Sequence, residues 1–391
     1  MPRKIVLAYV SAGAGHKSAC MALQKAYLQL HPEDQVQVVD ILKYAPWPFK
    51  TIYAEGYLLV ANLHPTLWGW IYNKQVDIYK GKKEGIFSTW LNQFITKRFQ
   101  KFITNISPDV VISAHFLSSW AAAEARKKNA LNFVLGTVVT DYALHSAWLV
   151  KEQDLFFVST EEIQWQLIKH KDYLGLDKKE IIVSGIPIDP VYAQKKDKNK
   201  LREKRNLQPD LFTILILGGM AGSTKINDII SSILRIHLPF QLMMVSGANF
   251  CISAAHQKEM KKRGIPCVCF GYIDFMDEVM QMADLALTKA GGLVCTECMS
   301  KGLPVVIFRP YPGQEERNTD YFLEQGAAMK VNQLDSLDLK IIQLMENPEK
   351  LDKLSENALH IVNPSAALDI VKRIDERVQS KRAAAVNLSS L

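Results

Sequence analysis

Short apolar runs recur along the chain, each ending in a polar or glycine-bearing turn, and most lead into a stretch with helical spacing. The first half reads Lys4–Val10 (KIVLAYV), Gln35–Ile41 (QVQVVDI), Pro108–Ala114 (PDVVISA), Asn132–Val139 (NFVLGTVV), Leu155–Ser159 and Glu180–Ser184. A helical pattern runs from Lys17 to His31. Strands that are apolar on both faces and alternate with helices predict a parallel sheet covered on both sides.

The pattern breaks between Pro187 and Pro209, where the chain turns polar and strongly basic, and then starts again. Leu211–Leu217 leads into GGMAGS, Gln241–Ser246 into GAN, Cys267–Phe270 into GYID, Leu285–Thr288 into KAGG, and Pro304–Phe308 into a PGQEE loop. Two α/β domains are therefore predicted, 1–189 and 208–362, with the polar stretch as their boundary. A last helix, 364–380, follows the Asn363–Pro364 break and is expected to pack back on the first domain, with a frayed tail after Lys381.

Composition agrees with this picture. A chain of 391 residues with 48% hydrophobic and 22% charged residues is folded and globular, and it is too long for one ordinary core. The net charge of +7 is modest. Its basic clusters at Lys195–Lys204, Lys258–Arg263 and Lys80–Lys83 read mainly as solvated surface, with anionic lipid as one acidic partner they would suit. No apolar run reaches the roughly 18 residues of a spanning helix, and Met1–Val10 runs straight into the first turn instead of forming a signal peptide. The expected location is cytoplasmic. The cysteine spacings C-x-C (Cys267, Cys269) and C-x2-C (Cys295, Cys298) invite a zinc reading. The better reading is reduced, structural thiols, the first pair on one face of a buried strand and the second packing inside a helix.

Candidate chemistry lies at the C-terminal ends of the strands, where open α/β sheets bind ligands. The turns at Gly13–His16, Gly218–Ser223 and Ala290–Gly292 each join a strand to a helix. Glycine admits a ligand close to the backbone, and the helix N-terminus offers free N–H groups to an anion. The first turn, with Asp40 ending the next strand, also resembles half of a dinucleotide fingerprint. A dehydrogenase leaves the second glycine-rich half unexplained, however, and Ser18 stands where the third glycine belongs. No P-loop motif occurs.

The stretch Leu287–Ala328 (LTKAGGLVCTECMSKGLPVVIFRPYPGQEERNTDYFLEQGAA) is the most informative. It predicts a strand, an anion-holding turn, a helix carrying Glu297 one turn in, a second buried strand and a polar loop. Glu297 is placed to accept ribose hydroxyls, and Gln314, Glu315 and Asn318 suit sugar hydroxyls. The plainer alternative is that Glu297 favours its helix dipole and PGQEE is a capped turn.

These motifs, TKAGG…TE…GLP…PGQEERN, resemble the donor half of glycosyltransferase family 28. In the first half GAGH (Gly13–His16), TDYALHSAW (Thr140–Trp148) and VSGIPI (Val183–Ile188) are similar to its glycolipid-synthase branch, as are SGAN (Ser246–Asn249) and GYIDFMDE (Gly271–Glu278) further on. That branch holds the monogalactosyldiacylglycerol synthases and processive diacylglycerol β-glucosyltransferases. The resemblance implies a GT-B fold, two doubly wound Rossmann-like domains facing across a cleft, and an inverting transfer from a UDP-hexose to a lipid acceptor. It implies Tyr272 and Ile273 beside the uracil, Gly219, Gly291 and Gly292 at the diphosphate, Glu297 at the ribose, and Gln314 and Glu315 at the hexose. Val294 stands where relatives usually carry Thr, and Ala290 replaces a common Pro.

Inverting transfer needs a base for the acceptor hydroxyl and stabilisation of departing UDP. His16, at the N-terminus of the first helix with an ordinary value near 6.5, is the expected base. Asp141 is the alternative base or the group that orients it. Gly15 and His145 are expected on the acceptor side, and His115 is a further candidate to line the site. Lys289 adds charge at the diphosphate or forms a surface salt bridge. No D-x-D motif occurs, so neither a metal nor a cofactor is expected, the UDP-sugar being a substrate.

From Trp47 to Trp90, ten aromatic residues including Trp68 and Trp70 interleave with lysines. They suit a bilayer interface, although a packed core would use the same rings. The expected protein is thus a peripheral enzyme on the inner face of the cell membrane that moves glucose or galactose to the 3-hydroxyl of diacylglycerol, with anionic membrane and no nucleic acid as partner. A GlcNAc transferase acting on another lipid, and a non-catalytic nucleotide-sugar-binding protein, are the alternatives.

Overall fold

The computed structural model describes residues 2–11, 13–46, 86–217, 226–245 and 252–389, the side chains of 86–92 and 385–389 excepted. Trp68, Trp70 and most of the aromatic region, together with Gly219, Ser246–Asn249 and Cys251, lie outside the described residues. The chain divides into two compact units, Met1–Pro190 with Pro364–Leu391, and Val191–Asn363.

The first unit holds a six-stranded parallel sheet in the order β2-β1-β3-β4-β5-β6. Its strands are β1 (Lys4–Tyr9), β2 (Gln35–Asp40), β3 (Val110–Ser113), β4 (Val134–Val138), β5 (Leu155–Val158) and β6 (Ile181–Val183). Helices α1 (Gly15–Leu30), α2 (Ile86–Ile106), α3 (Phe116–Lys128) and α4 (Glu161–Ile168) connect them. Every residue of β3, β4 and β5 is buried, as the unbroken apolar runs require. The strand order reverses at β1, which pairs β2 on one side and β3 on the other. The turn after β1 and the turn after β3 therefore emerge side by side, at the switch point of the sheet.

The second unit repeats the plan with the order β12-β11-β10-β7-β8-β9. Its strands are β7 (Phe212–Leu217), β8 (Phe240–Val245), β9 (Cys267–Phe270), β10 (Leu285–Thr288), β11 (Val305–Phe308) and β12 (Ala328–Val331). Around them lie α5 (Lys198–Lys204), α6 (Ile226–Ile233), α7 (Ala254–Lys262), α8 (Met276–Met282), α9 (Gly292–Ser300), α10 (Gln314–Glu324), α11 (Leu337–Met345) and α12 (Pro348–His360). Here the switch point falls between β7 and β10, whose register pairs Leu287 with Ile216.

The last helix, α13 (Ala366–Ser389), packs on α1 and β4 of the first unit. It lays Ile370, Val371 and Ile374 into the core. Gly136 of β4 makes room for it, since a Cβ there would stand 3.0 Å from Ile374 Cδ1. Asp375 pairs with Arg3 and, at 2.7 Å, with His31, while Arg377 reaches Glu180 at 3.2 Å. The helix runs on to Ser389 instead of fraying after Lys381. Lys381 donates to the Phe133 carbonyl at 3.1 Å, and the alanines that follow are strong helix formers.

Two further expectations are corrected. The basic cluster 195–204 is not all solvated surface: α5 belongs to the second unit, where buried Arg202 donates to the Met282 carbonyl and to Asp284, and Lys196 pairs with Asp277 at 2.7 Å. Cys267 and Cys269 do share one strand face, but β9 is the edge of its sheet, so Cys267 is half-buried and Cys269 exposed. Cys295 and Cys298 are buried free thiols within α9.

Candidate functional site

In the second unit, β10 ends at Thr288 and α9 begins at Gly292. Gly291 is the N-cap, with φ −65° and ψ 133°, and no side chain caps the helix. The first helical bond comes from Cys295 N to the Gly291 carbonyl at 3.1 Å, which leaves the preceding amides without a partner inside the helix. Such a terminus attracts an anion. Gly291 has an ordinary φ, so space explains it: a Cβ there would meet Val294 Cγ1 at 3.2 Å.

Lys289 sits one residue before this turn. It is 5% exposed, so it forms no surface salt bridge. Its Nζ lies 3.4 Å from the centroid of the Tyr311 ring and has no hydrogen-bond partner among the described residues. Burial holds the ammonium down to about 8, with the nearby Glu315 charge acting in the opposite sense.

The loop after β11 uses its acids to cap its own backbone, Glu315 partly buried and Glu316 exposed. Glu315 accepts from Tyr311 N at 2.7 Å and Glu316 from Gly313 N at 3.1 Å, closing a turn at Gly313 with φ +96°. Burial raises the Glu315 carboxyl. The PGQEE segment is thus a capped turn opening α10, and one oxygen of Glu315 is already engaged there. Asn318 is fully buried and its Nδ2 donates to the Ala290 carbonyl at 3.0 Å, so it braces the glycine turn. Glu297 on α9 and Gln314 at the start of α10 are partly buried. Gly292 is buried, Ile273 half-buried, and Tyr272 97% exposed, an aromatic ring held in solvent. Tyr311 was not among the residues expected from sequence; its place beside the PGQEE motif was the available signal.

In the first unit the turns after β1, β3 and β4 bring three histidines together. His16 is the second residue of α1, after Gly15, and both are partly buried. Its Nδ1 meets Thr140 Oγ1 at 3.1 Å, and its ring stands edge-on to His115 at 4.9 Å. His115 caps α3 by accepting from Leu117 N at 3.1 Å, and His145 accepts from Ala147 N at the same distance. Each uses Nδ1, so the neutral ring carries its proton on Nε2. Phe116 and Trp148 pack against His115 at 4.1 and 6.3 Å.

Burial lowers His16 to about 4, against a smaller opposing hydrogen bond to the Ala114 carbonyl. The ordinary histidine value expected from sequence therefore does not apply. His115 is lowered by burial and by its histidine neighbours. Asp141 is buried beside them, and loss of solvent pushes its carboxyl up to about 7, while a hydrogen bond from Trp148 acts the other way. Uncharged imidazoles next to a carboxyl poised near neutrality form a proton-accepting cluster. Asp40 is occupied elsewhere. It accepts from Ser11 Oγ at 2.6 Å and from Leu42 N at 3.0 Å, which ties the turns after β1 and β2 and sets the dehydrogenase reading aside.

Comparison with known proteins agrees with both halves. Residues 16–188 match the monogalactosyldiacylglycerol (MGDG) synthase family, and residues 213–374 match the glycosyltransferase family 28 C-terminal domain. A processive diacylglycerol β-glucosyltransferase of Bacillus licheniformis is 27% identical over 310 residues, 78% of each chain. One from Bacillus cytotoxicus is 26% identical over 374 residues, 95% of this chain and 93% of that one. Among solved structures, MurG of Acinetobacter baumannii superposes with a TM-score of 0.63 at 16% identity, covering 96% of this chain and all of that one. A UDP-GlcNAc 2-epimerase from Neisseria meningitidis gives 0.59, also at 16% identity and with the same coverage. With its two parallel six-stranded sheets, its glycine turns and these paired matches, the chain belongs to glycosyltransferase family 28, in the branch of the MGDG synthases and processive diacylglycerol β-glucosyltransferases, and has the GT-B fold.

Proposed function

We propose that the protein transfers a hexose, glucose or galactose, from a UDP-sugar to the 3-hydroxyl of 1,2-diacylglycerol with inversion at the anomeric carbon. The observation that carries this reading is Lys289: a buried ammonium with no hydrogen-bond partner among the described residues, beside an uncapped glycine turn, in the unit that matches the donor half of the family. An unpaired buried charge is costly, and a diphosphate is the anion that would balance it.

In this reading the α9 amides and Lys289 hold the diphosphate and take up the charge that develops on departing UDP. Glu297 receives the ribose, Tyr272 and Ile273 the uracil, and Gln314 with the remaining capacity of Glu315 the hexose. His16 takes the proton of the acceptor hydroxyl, and Asp141 positions the cluster and stabilises its charge. No cofactor takes part.

The lipid acceptor places the enzyme on a membrane surface. Among the described residues no helix is long and apolar enough to cross a bilayer. Helix α2 offers a surface contact instead: it contains no acidic residue, and Lys97, Arg98 and Lys101 line its exposed side without an ion pair among the described residues. Phe94, 57% exposed, lies on the same side. This stripe suits the anionic inner face of the cell membrane.

The test is turnover of UDP-glucose, UDP-galactose and UDP-GlcNAc on diacylglycerol vesicles. Release of UDP with either hexose and formation of the glycolipid are expected. Turnover with UDP-GlcNAc alone would overturn the donor assignment, and UDP binding without any turnover would overturn the catalytic one.

A further inference from the structure

The proposed transfer leaves Cys267 and Cys269 without a role. They stand two apart on β9, so their side chains leave the same face, and β9 is the outer strand of its sheet. Cys267 is half-buried, Cys269 is exposed, and their Sγ atoms are 3.9 Å apart.

That separation favours a shared ligand over a covalent bond. A disulfide needs its sulfurs at about 2.05 Å and its Cα atoms within about 6.8 Å. Residues i and i+2 of an extended strand lie about 6.6 Å apart or slightly more, at the outer edge of that window. A cation bound tetrahedrally to two thiolates at about 2.3 Å, by contrast, sets its sulfurs about 3.8 Å apart. The two sulfurs, in hydrogen-bond contact at 3.9 Å, already stand close to that spacing.

We propose that Cys267 and Cys269 form a two-thiolate site for a soft d10 cation of the Zn2+ or Cu+ class. Thiolates select such ions over Mg2+ and Ca2+. Binding forms two metal–sulfur bonds and releases to solvent whatever protons the two thiols still carry, with no change of oxidation state. The remaining coordination positions face solvent at the sheet edge and are filled by water or a small thiol.

The probe is Cd2+, whose bonds to thiolate give an ultraviolet charge-transfer band whatever the enzyme's activity. The reduced, metal-free full chain is titrated at neutral pH, alongside C267S, C269S and the double variant. Neither side chain is fully buried, so the variants are expected to keep the fold, checked by thermal unfolding. One Cd2+ per wild-type chain is expected, with affinity at least tenfold weaker in each single variant and no band in the double variant. A band of equal strength and affinity in the double variant, or none in the wild type, overturns the proposal.

Discussion

Asn318 Nδ2 donates to the Ala290 carbonyl across 3.0 Å, linking α10 to the glycine turn that opens α9. Both residues are fully buried, so the bond holds the turn at a fixed height above the sheet edge. The Asn318→Ala variant leaves that carbonyl unsatisfied, and a loss of about 1–3 kcal/mol in urea unfolding is expected. Donor KM should rise with it. Unchanged stability and KM would show that the turn stands without this support.

Lys289 predicts a pH signature. Its folded value of about 8 lies below the ordinary lysine value of about 10.4, so between them the unfolded chain binds more protons. Its unfavourable contribution is complete below about pH 8 and fades as pH rises toward 10.4, so this residue makes stability increase across that window. Lys289→Met should remove the slope and stabilise the fold at pH 7. It should also weaken UDP binding by about 10- to 100-fold, the value of one charged hydrogen bond. Calorimetry at pH 8 in buffers of different ionisation enthalpy should show proton uptake with UDP by the wild type only.

For His16 the expected result is loss of turnover with UDP affinity retained. His16→Ala should lower kcat by about 10²- to 10⁴-fold, as for removal of a general base. With His16 at about 4, the acid limb of kcat should fall below pH 5. A limb centred near 7 that vanishes in Asp141→Asn would transfer the role to Asp141.

Asp141 also affects stability. Its folded value of about 7 exceeds the ordinary carboxyl value of about 3.9, so the native state binds the extra proton and stability falls as pH rises through that interval. Asp141→Asn should therefore be more stable than wild type at pH 8, and the difference should shrink toward pH 4. Denaturant melts at the two pH values decide it.

The α2 stripe predicts salt-sensitive membrane binding. Neutralising Lys97, Arg98 and Lys101 to Gln should weaken association with anionic vesicles by about 100-fold, at about 1 kcal/mol per charge. Neutral vesicles should show no difference, and added salt should reproduce the loss. Turnover on detergent-dispersed diacylglycerol should persist. Equal vesicle binding by both proteins would put the membrane contact elsewhere.

Much of the architecture was legible in the order of residues along the chain. Continuous apolar runs such as Val110–Ser113 announced doubly covered parallel strands, and glycine turns at strand ends announced where ligands bind, because both are local patterns a few residues long. The family branch was equally readable, since its motifs are contiguous. What the folded chain alone established concerns partners far apart in sequence. Asn318 lies 28 residues from the carbonyl it braces, and His16 lies 124 residues from Thr140. Whether Lys289 is a surface charge or a buried one, and whether the strand of Cys267 is inner or outer, depends on which elements pack alongside. Burial also moves the proton affinities of His16 and Asp141 in opposite directions, because each disfavours its charged form when water is withdrawn, and the extent of that withdrawal is a property of the assembled core.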